Sequence, residues 1–436
     1  MLKDRYGNAV STASPTALAH YDEALLLMRL YRGDPIAALD KALEEDPGFT
    51  AAWAARAAIL VQQTDRAYLG EVRRSLDMAG SGGNDRERDL LRAAAAWADG
   101  SINRGVAAFT RIARDNPRDL VALQSAHVGH FFLGRASDLR DTPVQALRAF
   151  SEGDDGYHAV LGMAAFGMEE CGDYDRARVM GEEATRREPR DAWAVHAVAH
   201  VHEMRGDVDD GMGWLLANGE ALSPDNGFAY HNWWHLALLH LDRNEHQAAL
   251  ALYDDRVRPV ADADVVLEWI DASALLWRLH LDGVDVGDRF AGLARCWERT
   301  LEDRHYAFND VHAVMAYIGA GRMDLARRSV AALTQASEGH DDNAVVARQV
   351  GLPIATAFLA FAEERYREAA ETLLAVRGVA HQFGGSHAQR DILSLTALHA
   401  AQRARMHAAA QAIAAERVGR KPASPWARRL ERACAD

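Results

Sequence analysis

Two segments of this chain share one spacing of small residues, and that spacing constrains the fold more than any other feature. "GSINRGVAAFTRIARDNP" runs from Gly100 to Pro117, and "GDYDRARVMGEEATRREP" runs from Gly172 to Pro189. A glycine allows the chain to reverse between two helices, alanines let those helices pack closely, and the proline ends the second helix. The pattern therefore predicts pairs of antiparallel helices.

Equivalent turns recur along most of the chain. From Gly100 onward they are 34 to 43 residues apart, which is close to the period of a tetratricopeptide repeat. Patterns that alternate as strands do are nearly absent. The sequence therefore predicts an all-α fold: a single α-α superhelix, or tetratricopeptide-like solenoid, of about ten helix pairs over residues 16–436, after a flexible N-terminus over residues 1–15. The predicted turns lie at Gly33, Gly100, Gly134, Gly172, Gly206, Asn244, Gly283, Gly321 and Glu364.

The charge and cysteine content exclude several classes of partner. Asp and Glu (63) outnumber Lys and Arg (49), so the net charge of −14 gives no general attraction for nucleic acid or anionic lipid. The three cysteines are far apart and form neither a zinc-ribbon pattern nor a disulfide framework. No signal peptide is evident, and no apolar run approaches the roughly 20 residues of a membrane span. We expect a cytoplasmic protein without a nucleic-acid or membrane partner.

Histidine is concentrated in one part of the chain. Six of the 19 histidines lie between positions 196 and 240, where an even distribution would place about two. They belong to the segments "DAWAVHAVAHVHEMRGD" and "YHNWWHLALLH". A buried histidine is more often a packed residue with a satisfied hydrogen bond than a ligand, but this density at helical spacing favours a functional polar site.

The repeat register gives this site a place on the fold. Counted back from the turn at Gly206, the positions that face the concave groove of a tetratricopeptide helix are occupied by Trp193, His196, His200 and Glu203. His196 and His200 are one helical turn apart, so their rings can share a divalent metal. His235 and His312 stand nine residues before their own turns. We expect His196, His200, His235 and His312 to converge as ligands of a divalent metal such as zinc.

Further polar and aromatic residues complete the predicted site. Histidine titrates near neutral pH and serves as a general acid or base, and the "GGSH" turn before His387 offers a helix start that Ser386 can cap. The sequence predicts catalytic roles for His200, Glu203, His387 and Asp391. Ligand-binding roles are predicted for Trp193, His231, Trp234, Asp310 and Arg390.

Four motifs together resemble the tetratricopeptide repeat protein 38-like family. They are "HAVAHVHEMRG", "HNWWHLALLHL", "NDVHAVMAYIGAGR" and "GGSHAQRDIL", within residues 191–395. The resemblance implies a single superhelix of helix pairs and brings no particular reaction with it.

Three functions are compatible with these residues. The groove residues favour a site for a small polar ligand, with metal-assisted hydrolysis or acid/base chemistry. The alternative is a non-catalytic scaffold that binds a peptide in the groove, which is the usual role of such repeats. A third possibility is that the histidines form a buried hydrogen-bond ladder with a structural role only.

Overall fold

The computed structural model describes residues 2–260 and 263–435, and within them the chain is almost entirely helical. The α-helices are α1 (Pro15–Leu30), α2 (Pro35–Glu45), α3 (Thr50–Val61), α4 (Leu69–Ala79), α5 (Asp85–Ala98), α6 (Ile102–Asp115), α7 (Leu120–Phe132), α8 (Ala136–Ala146), α9 (Tyr157–Glu170), α10 (Tyr174–Arg187), α11 (Ala192–Arg205), α12 (Val208–Ala217), α13 (Ala229–Asp242), α14 (His246–Leu252), α15 (Val266–Leu281), α16 (Arg289–Trp297), α17 (Ala307–Gly319), α18 (Met323–Ser337), α19 (Asp342–Val346), α20 (Leu352–Ala362), α21 (Tyr366–Val376), α22 (His387–Arg403), α23 (His407–Arg420) and α24 (Pro425–Ala435).

Shorter elements complete the described chain. Strand β1 (Leu2–Lys3) pairs antiparallel with β2 (Ala9–Val10), with Leu2 opposite Val10. A π-helical turn joins α19 to α20, so that they form one continuous helix. Single 3-10 turns lie at Arg66–Tyr68, Leu147–Ala149, Gly219–Leu222, Glu298–Thr300 and Ala380–Phe383, and a second π-helical turn at Tyr253–Val257.

The turns between paired helices have the geometry that the sequence predicted. All nine predicted positions have positive φ: Gly33, Gly100, Gly134, Gly172, Gly206, Asn244, Gly283, Gly321 and Glu364. At Gly206 the amide donates to the carbonyl of Glu203, and the amide of Asp207 donates to the carbonyl of His202. These two bonds are the Schellman motif, which satisfies the last carbonyl groups of a helix.

The same pair of bonds ends α5, α7, α9, α13, α15, α17 and α20. Between α1 and α2 the same two hydrogen bonds form around Tyr31, which has the left-handed backbone conformation and lies two residues before Gly33. A further turn, which the sequence did not reveal, lies at Arg405 between α22 and α23. The described residues thus form eleven helix pairs, counting α19 and α20 as one helix, followed by α24. The all-α, tetratricopeptide-like class is confirmed.

The helices fall into two compact units. The first contains residues 1–198 and 218–229, and the second contains residues 199–217 and 230–436. The predicted division into a flexible N-terminus and one superhelical domain stays a prediction.

Close helix packing in the first unit depends on small residues. A Cβ on Gly105 of α6 would lie 2.8 Å from the carbonyl oxygen of Ala93 in α5, and a Cβ on Gly167 of α9 would lie 2.4 Å from Cα of Arg140 in α8. Backbone approaches this close exclude even a methyl group. The small residues of the repeat pattern therefore set the distance between paired helices.

The second unit is built around four fully buried tryptophans: Trp234, Trp269, Trp277 and Trp297. Trp269 and Trp297 meet edge to face with ring centroids 5.3 Å apart, and Trp277 stacks on Phe358. The helix α15 is buried along nearly its whole length, whereas α18 buries one face only. Polar residues of α15 therefore lie inside the packed unit.

Among the described residues, one helical stretch is long and apolar enough to cross a membrane by length and composition. It is the continuous helix over 342–362, which the apolar-run estimate from sequence missed, and 61 % of its apolar window is buried inside the fold. A buried core helix passes the same test, and the burial of this stretch is what core packing requires.

Candidate functional site

The helix α11 places His200 and Glu203 three residues apart on one face. Asp191 accepts a hydrogen bond from the amide of Ala194 and so begins the helix, and the turn at Gly206 ends it. The side chains of both His200 and Glu203 are buried. Both residues belong to the second unit, which also contains His231, His235 and Lys421.

The helix α13 contributes two more imidazoles from adjacent turns of one face. His231 and His235 are four residues apart, and their ring centroids lie 4.8 Å apart. The ring of His231 stacks on Trp234 at 5.3 Å. The ring of His235 meets that of His200 with centroids 4.4 Å apart. The repeats turning at Gly206 and Asn244 therefore bring two of the predicted imidazoles, those of His200 and His235, together.

A buried chain of hydrogen bonds runs through His235. Its Nδ1 donates to Oε2 of Glu203 at 2.7 Å, and both side chains are less than 10 % exposed. The other carboxylate oxygen of Glu203 accepts from Nζ of Lys421 at 3.2 Å. Lys421 thus supplies the positive charge that a buried carboxylate needs.

A second imidazole is held in the same way. Nδ1 of His231 donates to Oδ2 of Asp271 at 2.6 Å. The amide of Gln389 approaches the other oxygen of Asp271 at 3.5 Å, and its own carbonyl accepts from the backbone of Ser386 in a capping box that begins α22. Ser386 therefore caps this helix as predicted.

Burial and neighbouring charge shift the pKa values of these groups in opposite directions. Desolvation lowers the pKa of His200 well below its ordinary value, and the nearby His235 lowers it further. Desolvation also lowers the pKa of His235, against the opposing effect of Glu203. Burial raises the pKa of Glu203, but Lys421 and His235 outweigh it and hold the pKa well below its usual range. The two imidazoles are therefore neutral and the carboxylate is ionised at neutral pH.

The guanidinium of Arg278 lies inside the same unit. It donates to the carbonyl oxygens of Ala274 and Ala388 and stands over Trp234, with Cζ 5.4 Å from the ring centroid. Burial lowers the pKa of this group below its ordinary value. The arginine ties α15 to the start of α22.

The carboxylate of Asp391 forms an ion pair with Arg417. Nη1 and Nη2 of Arg417 donate to its two oxygens at 2.7 and 2.9 Å. Burial raises the pKa of Asp391, but Arg417, Lys421 and Arg278 outweigh it and bring the pKa far below its ordinary value. A carboxylate this acidic is a poor proton acceptor at neutral pH. Both oxygens of Asp391 thus accept hydrogen bonds from Arg417, and the catalytic role predicted for Asp391 stays a prediction.

The imidazole of His312 is not part of the group that His200, His231 and His235 form. Its Nδ1 donates to the carbonyl oxygen of Phe308 at 2.7 Å, and burial lowers its pKa to about 4. The helix that carries His312, α17, packs against α15, which supplies Asp271. Among the described residues, His312 is not one of those whose ligand atoms lie within 4.8 Å of one another. At this distance His312 is not grouped with the other imidazoles, and its predicted role as a ligand stays a prediction.

Three other predicted site residues are Asp310, His387 and Arg390. Asp310 precedes His312 by two residues, so it projects from a nearly opposite side of α17. Burial, with a contribution from Asp303, raises the pKa of Asp310 to about 7. His387 is exposed at the start of α22, where Nη2 of Arg390 lies 3.4 Å from its Nδ1, and Arg390 donates to the carbonyl of Gly385. The charge of His387 also contributes to the lowered pKa of His200, and the predicted roles of all three residues stay predictions.

The remaining predicted residues, Trp193 and His196, lie in the first unit. The indole of Trp193 donates to Nε2 of His127 at 3.2 Å and packs at about 5 Å from Phe166. The ring of His196 packs against Phe166 and Phe228. Both residues are buried in aromatic surroundings.

One group in the second unit has the donor set of a metal site. A ring nitrogen from each of His200, His231 and His235 lies within 4.8 Å of the other two. The predicted roles of these residues stay predictions.

Sequence reasoning missed the residues that hold the imidazoles in place. Asp271 and Arg278 had a visible signal, because with Glu268 they are the only charged Asp, Glu, Lys or Arg residues in the apolar helix "VLEWIDASALLWRLHL", and a buried charge requires a partner. Lys421 and Arg417 had none. Lys421 reaches Glu203 across 218 positions of sequence, which no local pattern records.

No family model matches the chain. Among solved structures, the chain is similar to that of the APC/C hetero-tetramer Cut9–Hcn1, with 11 % identity and a TM-score of 0.48 over 96 % of this chain and 76 % of the other. It is also similar to yeast Tom70, with 12 % identity and a TM-score of 0.35 over 83 % and 92 % of the two chains. A tetratricopeptide repeat protein from Parabacteroides merdae has 12 % identity and a TM-score of 0.33 over 68 % and 98 %.

At these identities and TM-scores, none of the three indicates what this chain binds. The tetratricopeptide-like class stands on the helix pairs and turns of the chain itself. The narrower resemblance to the tetratricopeptide repeat protein 38-like family stays a prediction.

Proposed function

We propose that this chain is a protein-interaction scaffold and not an enzyme. The observation that carries the proposal is the state of Glu203 and Asp391, the two carboxylates expected to transfer protons. Lys421 pairs with the first and Arg417 with the second. Both carboxyl pKa values are held well below their ordinary range, whereas a general base works best with a pKa near the working pH.

The arrangement of the helix pairs supports a protein partner. Repeat arrays present extended surfaces assembled from equivalent helices of successive repeats. In this chain α3, α9 and α15 are nearly completely buried, while the second helices α10 and α18 expose one side rich in charged residues. We therefore place the partner on the exposed second helices and not along buried first helices, as a groove-bound peptide would require.

The interaction is tested with the full-length chain and a separately purified partner. A partner recovered by crosslinking in the native host is titrated calorimetrically, and amide hydrogen exchange of the scaffold is compared with and without it. We expect a defined stoichiometry and slowed exchange in second helices such as α10 or α18. A complex that leaves every second helix unprotected would contradict the proposed surface.

The absence of catalysis is tested with conservative variants. Wild type, E203Q, D391N and the surface control D324N are assayed against ester, amide and phosphate substrates. Asp324 forms an exposed ion pair with Arg322, so D324N reproduces the charge change outside the buried unit. We expect no turnover that depends on Glu203 or Asp391. Turnover that D324N retains and E203Q or D391N loses would overturn the scaffold proposal.

A further inference from the structure

We propose that His200, His231 and His235 bind a divalent transition-metal ion of the zinc class. In this arrangement Glu203 and Asp271 are positioning residues that hold two of the imidazoles. The site lies wholly within the second unit, and it does not depend on the scaffold role.

The geometry brings three imidazole donors to one point. A ring nitrogen of each lies within 4.8 Å of the other two, and all three side chains are buried. Zinc binds imidazole nitrogen at about 2.0–2.1 Å, and three histidines with one open position are a known zinc ligand set. Imidazole also suits cobalt, nickel and copper, so the ligand set defines a class of ions.

The carboxylates distinguish this cluster from ordinary buried histidines. Glu203 and Asp271 each accept a hydrogen bond from Nδ1, of His235 and His231 respectively. An imidazole that donates from Nδ1 carries its lone pair on Nε2, which is the tautomer needed for coordination through that atom. Metal-binding histidines usually donate their other N–H to a carboxylate in this way.

The charges around the cluster are compatible with a cation. The carboxylates of Glu203 and Asp271 are both buried next to the imidazoles. Lys421 contacts the Glu203 oxygen that does not accept from His235, so its ammonium fixes the carboxylate without replacing the imidazole.

The helix α13 also offers a matched control for this proposal. His240 on α13 also donates from Nδ1 to a carboxylate, that of Glu245, at 2.6 Å. The pair of His240 and Glu245 is more exposed than the two buried pairs, and His240 does not belong to the group of His200, His231 and His235. Replacing His240 or Glu245 therefore removes an equivalent pair without touching the proposed ligands.

The experiment is a titration of the tag-free, full-length chain with Co²⁺, followed by visible absorption and then by competition with Zn²⁺. We expect one ion per chain and the intense absorption of low-coordinate cobalt. H235A should abolish this signal, and E203Q should weaken Co²⁺ binding by about 10–100-fold, the usual effect of removing such a carboxylate. H240A and E245Q should bind as wild type does.

Circular dichroism and thermal melting accompany every titration. If H235A fails to fold, D271N and E203Q decide the question, because both keep the size of the side chain and all three imidazoles. Binding that is equally strong in wild type, E203Q and D271N would overturn the proposal. So would a wild type that binds no more Co²⁺ than H235A, and the histidines would then be a structural hydrogen-bond ladder.

Discussion

Replacing Arg417 by methionine tests whether Asp391 has a structural or a chemical role. In the folded chain the guanidinium bonds both oxygens of Asp391, and the two side chains are 8 % and 19 % exposed. Methionine is close in length to the aliphatic part of arginine and removes only the charge and the donors. R417M therefore leaves a largely buried carboxylate without its main partner.

The expected loss of stability follows from the geometry of this pair. Two unit charges about 4 Å apart attract by roughly 4 kcal/mol at an effective dielectric constant of about 20. Removing one partner of a buried pair typically costs about 3–5 kcal/mol. Because Asp391 keeps some contact with solvent, and Lys421 and Arg278 still act on it, we expect a loss at the lower end, about 3 kcal/mol.

The loss should depend on pH in a defined direction. In the folded wild type the pKa of Asp391 lies below its ordinary value, so the pair stabilises the fold above the unfolded-state pKa of about 3.9. This contribution shrinks as the pH falls below that value and is lost as the pH falls through the depressed pKa of the folded state. In R417M the poorly solvated carboxyl protonates more readily. The difference in unfolding free energy between the two proteins should therefore be largest near neutral pH and shrink in acid.

Urea unfolding followed by far-UV circular dichroism measures this difference. R322M is the matched control, because Arg322 and Asp324 form an exposed pair whose loss should cost less than about 1 kcal/mol. The double variant D391L/R417M should recover much of the stability, since it leaves no unpaired charge. Equal effects of R417M and R322M, or a deficit that grows in acid, would refute the reasoning.

Three further outcomes are expected. G167A should lower the free energy of unfolding by about 2–3 kcal/mol, because its Cβ would lie 2.4 Å from Cα of Arg140. G213A, with open space around the new Cβ, should raise it by up to about 1 kcal/mol. Equal free energies of unfolding for the two variants would contradict this. R405G should raise the melting temperature, because Arg405 adopts a φ of 55° that favours glycine. Since burial lowers the pKa of His312 to about 4, its ring should stay neutral in NMR titrations above about pH 5, and stability should fall as the pH drops from about 6.5 towards 4. H312N should flatten that fall.

The fold was predictable because its turns require a particular backbone. Each turn needs a residue with positive φ after the first helix, and glycine or asparagine fills most of these positions. Glu364 was found through spacing alone. Arg405 was missed because no sequence pattern indicates that an arginine adopts positive φ. Tyr31 was missed because Gly33, which also has positive φ, lies only two residues after it.

The candidate site was predictable only where the spacing of residues along one helix determines which side chains lie together. The four-residue spacing of His231 and His235 placed two imidazoles on a common face of α13. The same helical geometry argues against grouping Asp310 with His312, because residues two apart on a helix point in nearly opposite directions. The partners Lys421 and Arg417 depend on long-range packing, which the spacing of residues does not encode.

The order of the repeats explains why only some of the predicted imidazoles meet. His235 and His312 occupy equivalent positions, nine residues before the turns at Asn244 and Gly321. In a repeat array, side chains contact the adjacent pairs and rarely reach beyond them. The helix α15 lies between the two in sequence: its Asp271 bonds the imidazole of His231 on α13, while α15 itself packs against α17, which carries His312. Equivalent positions two repeats apart are therefore separated by the helix between them, and a ligand set in such a fold should be sought on adjacent first helices, as α11 and α13 provide.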